Sequence, residues 1–175
     1  MCYARITNPK GAVFGWPLLY LGEFERRKYM IERFVKAWDQ NKDKLKGHIA
    51  THPQEEYDSY ESLVKLLFNI VINPAIAEEK GDWEGYQYDT NHICKIDDGQ
   101  YQGTLIFVLH TGCYQPSTED YIYTSVGYGS CSGCDTLQAI HLYEDGLPTD
   151  GQIEDYMTLC LHLLQNCREM GSEND

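Results

Sequence analysis

With 175 residues and a net charge of −13, from 27 acidic against 14 basic side chains, the chain is long enough for one domain with a real core and short for two. Hydrophobic residues at 42% and 14 tyrosines argue against disorder, while the acidic surplus repels phosphate backbones and anionic lipid, which argues against direct nucleic-acid or membrane binding. Seven cysteines, an odd set without a signal peptide, fit a reducing cytoplasm better than a secreted disulfide scaffold.

In chain order, "MCYARITNPKGAVFGWPLLYLG" is broken by Pro9, Gly11, Gly15 and Pro17 and reads as an ordered apolar arm. From Glu23 the period becomes helical, with Phe24, Ile31, Phe34, Val35, Trp38 and Leu45 near one face and Gly47 as the closing residue. Thr51 as N-cap, Pro53 near the first turn and Glu55 and Glu56 beside the positive helix end predict a second helix. Its apolar side is Tyr57, Tyr60, Leu63, Val64, Leu67, Phe68 and Val71, and Asn73-Pro74 is expected to stop it. "LLFNIVI", residues 66 to 72, is the strongest apolar run and falls short of the roughly 18 residues that cross a bilayer.

The period then changes to two. "YQYDTNHICKI" predicts a strand with Tyr86, Tyr88, Thr90, His92, Cys94 and Ile96 on one face; Asp98-Gly99 signals a hairpin, "YQGTLIFVLH" the returning strand and "DYIYTSV" a third. The last element, "DGQIEDYMTLCLHLLQNCREM", is a helix whose apolar stripe carries Cys160 and Cys167 as small core residues, and "GSEND" reads as a frayed tail. The pattern predicts a single α+β domain over residues 1–170, with a tail over 171–175. Two N-terminal helices and a C-terminal helix would cover one face of an antiparallel sheet of three or four strands.

The chemistry concentrates in "SVGYGSCSGCDTLQAI", residues 125 to 140. Cys131 and Cys134 have the C-x-x-C spacing that lets two thiolates reach one zinc ion, and His92 and Cys94 would complete a four-ligand shell, with His110, Cys113 and His141 as rival donors. Redox chemistry would use a helix N-terminus to lower a thiol pKa, but a thioredoxin-like fold begins βαβ, and Asp135 beside Cys134 disfavours a thiolate. Gly129, Ser130, Ser132, Gly133 and Asp135 form a candidate ligand-binding loop, without the lysine of a phosphate loop or the glycine spacing of a dinucleotide fold. The plainest reading is a tight strand-to-helix connection: glycines supply positive φ, Asp135 caps "TLQAI", and the cysteines are buried and inert. Cys2 would be an N-terminal nucleophile if Met1 were removed, yet nothing around it forms a catalytic pattern, and no catalytic residues are assigned.

"DDGQYQGTLIFVL" followed by "YIYTSVGYGSCSGCDTLQAI" resembles small uncharacterised proteins carried by tailed bacteriophages, in which a YQGT-like strand precedes a YGSCSGCDTLQ-like loop; it covers residues 85 to 142. The resemblance implies a phage accessory protein made in a bacterial host cytoplasm. Combined with the charge and with tyrosines available as rigid contact surface, it makes the leading expectation a non-enzymatic acidic protein. Such a protein would bind and inhibit or redirect a host protein with a basic surface, such as a nucleic-acid-binding defence enzyme. The alternative is a zinc- or ligand-binding protein, or a thiol-redox protein, centred on Cys131 and Cys134.

Overall fold

The computed structural model describes residues 18–141 and 146–170, with side chains from residue 28 onward, so the expectations for Cys2, for an arm over residues 1–17 and for the tail over 171–175 lie outside it. The chain forms two compact units, Met1–Arg33 and Phe34–Asp175. In the first, helix α1 (Leu18–Thr51) begins, earlier than the expected Glu23, and Lys28 pairs with Glu32 one turn on at 4.0 Å. All that follows concerns the second unit.

There α1 buries Phe34, Ala37, Asn41, Leu45 and Ile49, a three-and-four spacing that forms one stripe. Val35, expected on that stripe, is 56% exposed. Gly47 does not close the helix but lies inside it on the outer face, and Thr51 ends α1 rather than capping the next helix. Gln54–Tyr57 makes one 3₁₀ turn, and α2 (Tyr60–Leu67) starts from Ser59, whose side chain accepts from the Ser62 N–H while the Ser62 hydroxyl accepts from the Ser59 N–H.

Asn73-Pro74 was expected to end this helix, and it does not. Phe68–Ile72 widens to a π-helical turn in which the Asn73 N–H bonds five residues back to Phe68, and α3 (Asn73–Lys80) continues with Pro74 in its first turn. A proline ring clashes with the carbonyl four residues back in a regular helix, and a π turn relieves the clash by displacing that carbonyl. Asn41 of α1 donates to the Val71 carbonyl of this turn at 3.3 Å. The continuous run Tyr60–Lys80 is, contrary to the sequence expectation, long and apolar enough to cross a membrane by length and composition, yet half of its apolar window is covered by the protein itself. Leu63, Val64, Leu67, Phe68 and Val71 have no exposed surface.

The sheet is antiparallel, in the order β1 (Cys94–Asp97), β2 (Gly103–His110), β3 (Tyr121–Tyr128) and β4 (Arg168–Glu169), so the fold is α+β as predicted. The strand expected from Tyr86 starts only at Cys94. Asp89 accepts from the Asn91 N–H at 2.8 Å, a local turn that competes with strand pairing, and the buried Asn73 side chain holds Tyr88 apart, its Nδ2 donating to the Tyr88 carbonyl and its Oδ1 accepting from the Tyr88 N–H, both at 2.9 Å. A single bridge, Tyr88 to Thr111, is all that remains of that pairing. The hairpin forms with residues 98–102 as its loop, longer than a two-residue turn.

Paired residues share a face, so Phe107 and Leu109 of β2 lie with Thr124 and Ile122 of β3 on the covered side. Helix α5 (Asp150–Gln165) packs there: the Thr124 hydroxyl donates to the Leu163 carbonyl at 2.6 Å, and Ile153, Tyr156, Met157, Leu159, Cys160, Leu163 and Leu164 are buried. Tyr156 also donates to Gln54 at 3.0 Å, which joins α5 to the 3₁₀ turn after α1.

A Cβ at Gly47 would meet nothing within 4 Å. Gly47→Ala is therefore expected to raise stability by about 0.5–1 kcal/mol, by removing backbone entropy from the unfolded chain, as read from the urea midpoint. No gain would show that this helical turn forms independently of the cooperative unit.

Candidate functional site

The loop between β3 and α4 (Thr136–His141) is built around one buried carboxylate. Asp135 is 5% exposed; its Oδ1 accepts from the Gln138 N–H at 2.9 Å, the cap expected for this short helix, and from the Tyr60 hydroxyl at 3.2 Å, while its Oδ2 accepts from the Gly129 N–H at 3.2 Å. The Tyr60 hydroxyl in turn accepts from the Leu137 N–H at 3.2 Å. Burial of the Tyr60 phenol, first of several causes, pushes its pKa up to about 12, so it stays a donor.

This cluster shapes the loop that follows β3. Gly129 does not serve through a positive φ, which among the described glycines only Gly81 and Gly146 adopt. It serves through close approach: a Cβ there would stand 2.5 Å from both the carbonyl oxygen and the sulfur of Cys134. Cys131-Ser132-Gly133-Cys134 is a tight turn closed by the Cys134 N–H on the Cys131 carbonyl at 2.9 Å. The Cys131 N–H donates to Cys134 Sγ at 3.2 Å, and the two sulfurs lie 2.8 Å apart.

Both thiols are exposed, which corrects the expectation that they are buried and inert. The Cys131 thiol beside it, and after that the backbone N–H groups of Cys131 and Ser130, hold the Cys134 thiol below its ordinary value against slight desolvation. Asp135, expected to oppose a thiolate, turns its carboxylate inward to Tyr60, Gly129 and Gln138. Cys160 and Cys167, fully enclosed, are pushed up to about 12 by burial. Exposure thus separates Cys131 and Cys134 from the enclosed Cys160 and Cys167.

Cys131 lines a cleft of about 700 Å³, and Cys134 lies behind it in the turn, sulfur against sulfur. Its apolar floor is Leu105 and Phe107 of the sheet with Leu137 of α4, and its polar wall includes Lys95, His141, Glu61 and the Tyr60 ring. Ser130 and Ser132 line it as well, so of the predicted ligand loop these two serines and Asp135 border the cleft with Cys131, while Gly129 supports the turn and Gly133 stays on its exposed side.

The structure does not bring His92 and Cys94 to the thiols. Cys94 pairs with Val108, on the sheet face opposite Phe107, whereas its neighbour Lys95 pairs with Phe107 and lines the cleft. His92 is exposed and bonds Asp89 through Nδ1 at 2.7 Å, which first among several causes holds that carboxyl below its ordinary range. Of the rival donors, His110 bonds the Thr111 carbonyl at 2.7 Å and Cys113 accepts from the Thr111 hydroxyl at 3.3 Å, at the far end of β2; only His141 reaches the cleft. Among the described residues no third histidine, cysteine or carboxylate forms a ligand cluster with Cys131 and Cys134, so the two further ligands of a closed zinc site are not assembled there.

Sequence reasoning missed Tyr60, Lys95 and Gln138. Tyr60 sits in the apolar stripe of α2, and its second role, on Asp135 75 residues away, leaves no local signal.

Asp135→Ala would strand the Tyr60 hydroxyl and the Gly129 N–H and is expected to cost about 3 kcal/mol in chemical denaturation. Iodoacetamide mapping of the native protein should label Cys131 and Cys134 before Cys160 and Cys167. The Cys134 rate should rise with pH through a midpoint below that of an ordinary thiol, because a lowered pKa populates thiolate earlier. Equal labelling of all four would overturn the assignment. Comparison with protein-family models, with curated proteins and with solved structures finds no match, so the reading of this site rests on its geometry.

Proposed function

We propose that the protein is a thiol–disulfide exchange protein whose working group is the Cys131–Cys134 dithiol. The observation that carries this is the 2.8 Å separation of two exposed sulfurs, one of them, Cys131, on the wall of a cleft. That is inside non-bonded contact, and closing it to the roughly 2.05 Å of a disulfide needs little backbone movement.

In the proposed cycle the Cys134 thiolate attacks one sulfur of a disulfide presented at the exposed turn. The Cys134–substrate bond forms, the substrate S–S bond breaks, and the first substrate thiolate leaves and takes a proton. Cys131 then gives up its proton and attacks Cys134 Sγ, which forms the internal disulfide and releases the second substrate thiol. The substrate is reduced to two thiols and the protein dithiol is oxidised; an external dithiol reductant, as a reducing cytoplasm supplies, restores it.

Equilibration in glutathione redox buffers tests the reading. The wild-type protein should pass reversibly to the internal disulfide, and Cys131→Ser should hold a mixed disulfide with glutathione at Cys134, because the resolving thiol is gone. A pair that stays reduced under buffers that oxidise free dithiols, or mixed disulfide that accumulates equally on exposed Cys94, would overturn it.

One observation favours a second reading, the phage-type accessory protein that binds a host protein through its acidic surface. Tyr114, Tyr101 and Trp83 are 95%, 78% and 61% exposed on a chain of net charge −13, and rigid exposed aromatics beside carboxylates suit a basic partner surface. Host proteins retained by the wild type at low salt, released at high ionic strength and lost with Tyr114→Ala would support it. Retention that ignores both changes would count against it.

A further inference from the structure

We infer that His48, His52 and Glu56 form a binding site for one divalent transition-metal ion, zinc being the probe of choice, at the junction of α1 and the 3₁₀ turn that follows it. The site is separate from the dithiol and stands whether or not the redox reading holds.

Three observations point to it. The ligand atoms of the three side chains lie within 4.8 Å of one another. Two histidines four residues apart lie on one helix face, and these rings are stacked, with centroids 3.7 Å apart and planes 16° from parallel. Zinc bonds of about 2.0–2.1 Å place tetrahedral ligand atoms about 3.3 Å apart, so rotations of exposed or half-buried side chains suffice to close the shell.

The protonation pattern fits as well. His52 Nδ1 lies 2.9 Å from the His48 carbonyl and 3.1 Å from the Thr51 hydroxyl. A carbonyl can only accept, so Nδ1 carries the proton and the lone pair belongs to Nε2, the tautomer that metal-binding histidines adopt when a backbone carbonyl orients them.

The electrostatics agree. His48 lies in the last turn of α1 and His52 one residue past its end, near the negative pole of the helix, and Glu56 supplies one negative charge. Two histidines and one carboxylate leave open positions for water, as in sites that bind first-row divalent ions. Glu55, by contrast, is committed to the Gly146 N–H at 3.2 Å.

The consequence is a staple. Gln54 and Tyr57 belong to the turn that carries Glu56; Tyr57 donates to the Ile49 carbonyl at 3.0 Å, and Gln54 accepts from Tyr156 of α5. A bound ion would fix this turn to α1 from outside as Tyr57 fixes it from within.

The test is titration of zinc chloride into the full chain carrying Cys131→Ser and Cys134→Ser, which removes the competing thiols, followed by calorimetry and thermal unfolding. One ion per chain should bind, and zinc in excess should raise Tm by about 5 °C. Adding His52→Ala or His48→Ala should abolish the 1:1 event; Glu56→Gln, an exposed change that leaves the fold intact, should weaken it and shrink the Tm shift. Absence of 1:1 binding in the chain lacking Cys131 and Cys134, or binding unchanged by Glu56→Gln and His52→Ala, would overturn the site.

Discussion

The buried carboxylate of Asp135 holds together three segments that are far apart in the chain: the start of α2 through Tyr60, the end of β3 through Gly129, and the first turn of α4 through Gln138. Taking a carboxylate out of water costs several kcal/mol unless its lone pairs are met by donors. Here the three donors arrive from all sides, so the carboxylate acts as a geometric lock: displacing any one segment leaves a buried polar group without its partner. The thiol turn inherits its position from this lock, since Gly129 is pressed against Cys134 with no room for a side chain.

That arrangement makes the short loop chemically unlike the rest of the cysteines. Cys160 and Cys167 fill helix-packing positions where the thiol behaves as a small apolar group. Cys131 and Cys134 are pushed outward by a turn too tight to bury them, and the backbone N–H of one faces the sulfur of the other. The same side chain is core filler in one setting and an exposed, N–H-bonded thiol in the other, and the tightness of the turn decides between them.

Much of this was legible in the sequence. The period-two runs gave β2 and β3, the amphipathic stripe gave α5, and Asp135 ahead of "TLQAI" was readable as a helix cap. Two features defeated local reading. Asn73-Pro74 looked like a stop, but a π turn absorbed the proline, a tertiary adjustment supported by Asn41 from another helix. The alternating run at Tyr86 looked like a strand, but Asp89 and Asn73 captured its backbone first. The zinc shell drawn from His92 and Cys94 failed for a related reason: alternation shows which residues share a face and not which face meets the loop, and Lys95 took the inward place. The His48, His52 and Glu56 group was hidden because the sequence reading closed the first helix at Gly47 and began the next at Thr51, which separated the two histidines.

The apolar run from Tyr60 to Lys80 has a consequence for how the chain comes into being. Its greasy side is covered in part by α5, which is made some seventy residues later. During synthesis at about 5–20 residues per second, a segment composed like a membrane span therefore waits several seconds before that cover emerges from the ribosome. In that interval it is a substrate for chaperones and a competitor for the membrane-insertion machinery. The π turn and proline at its centre weaken its persistence as a straight bilayer-crossing rod, and they favour the fate in which it waits for its own C-terminal helix.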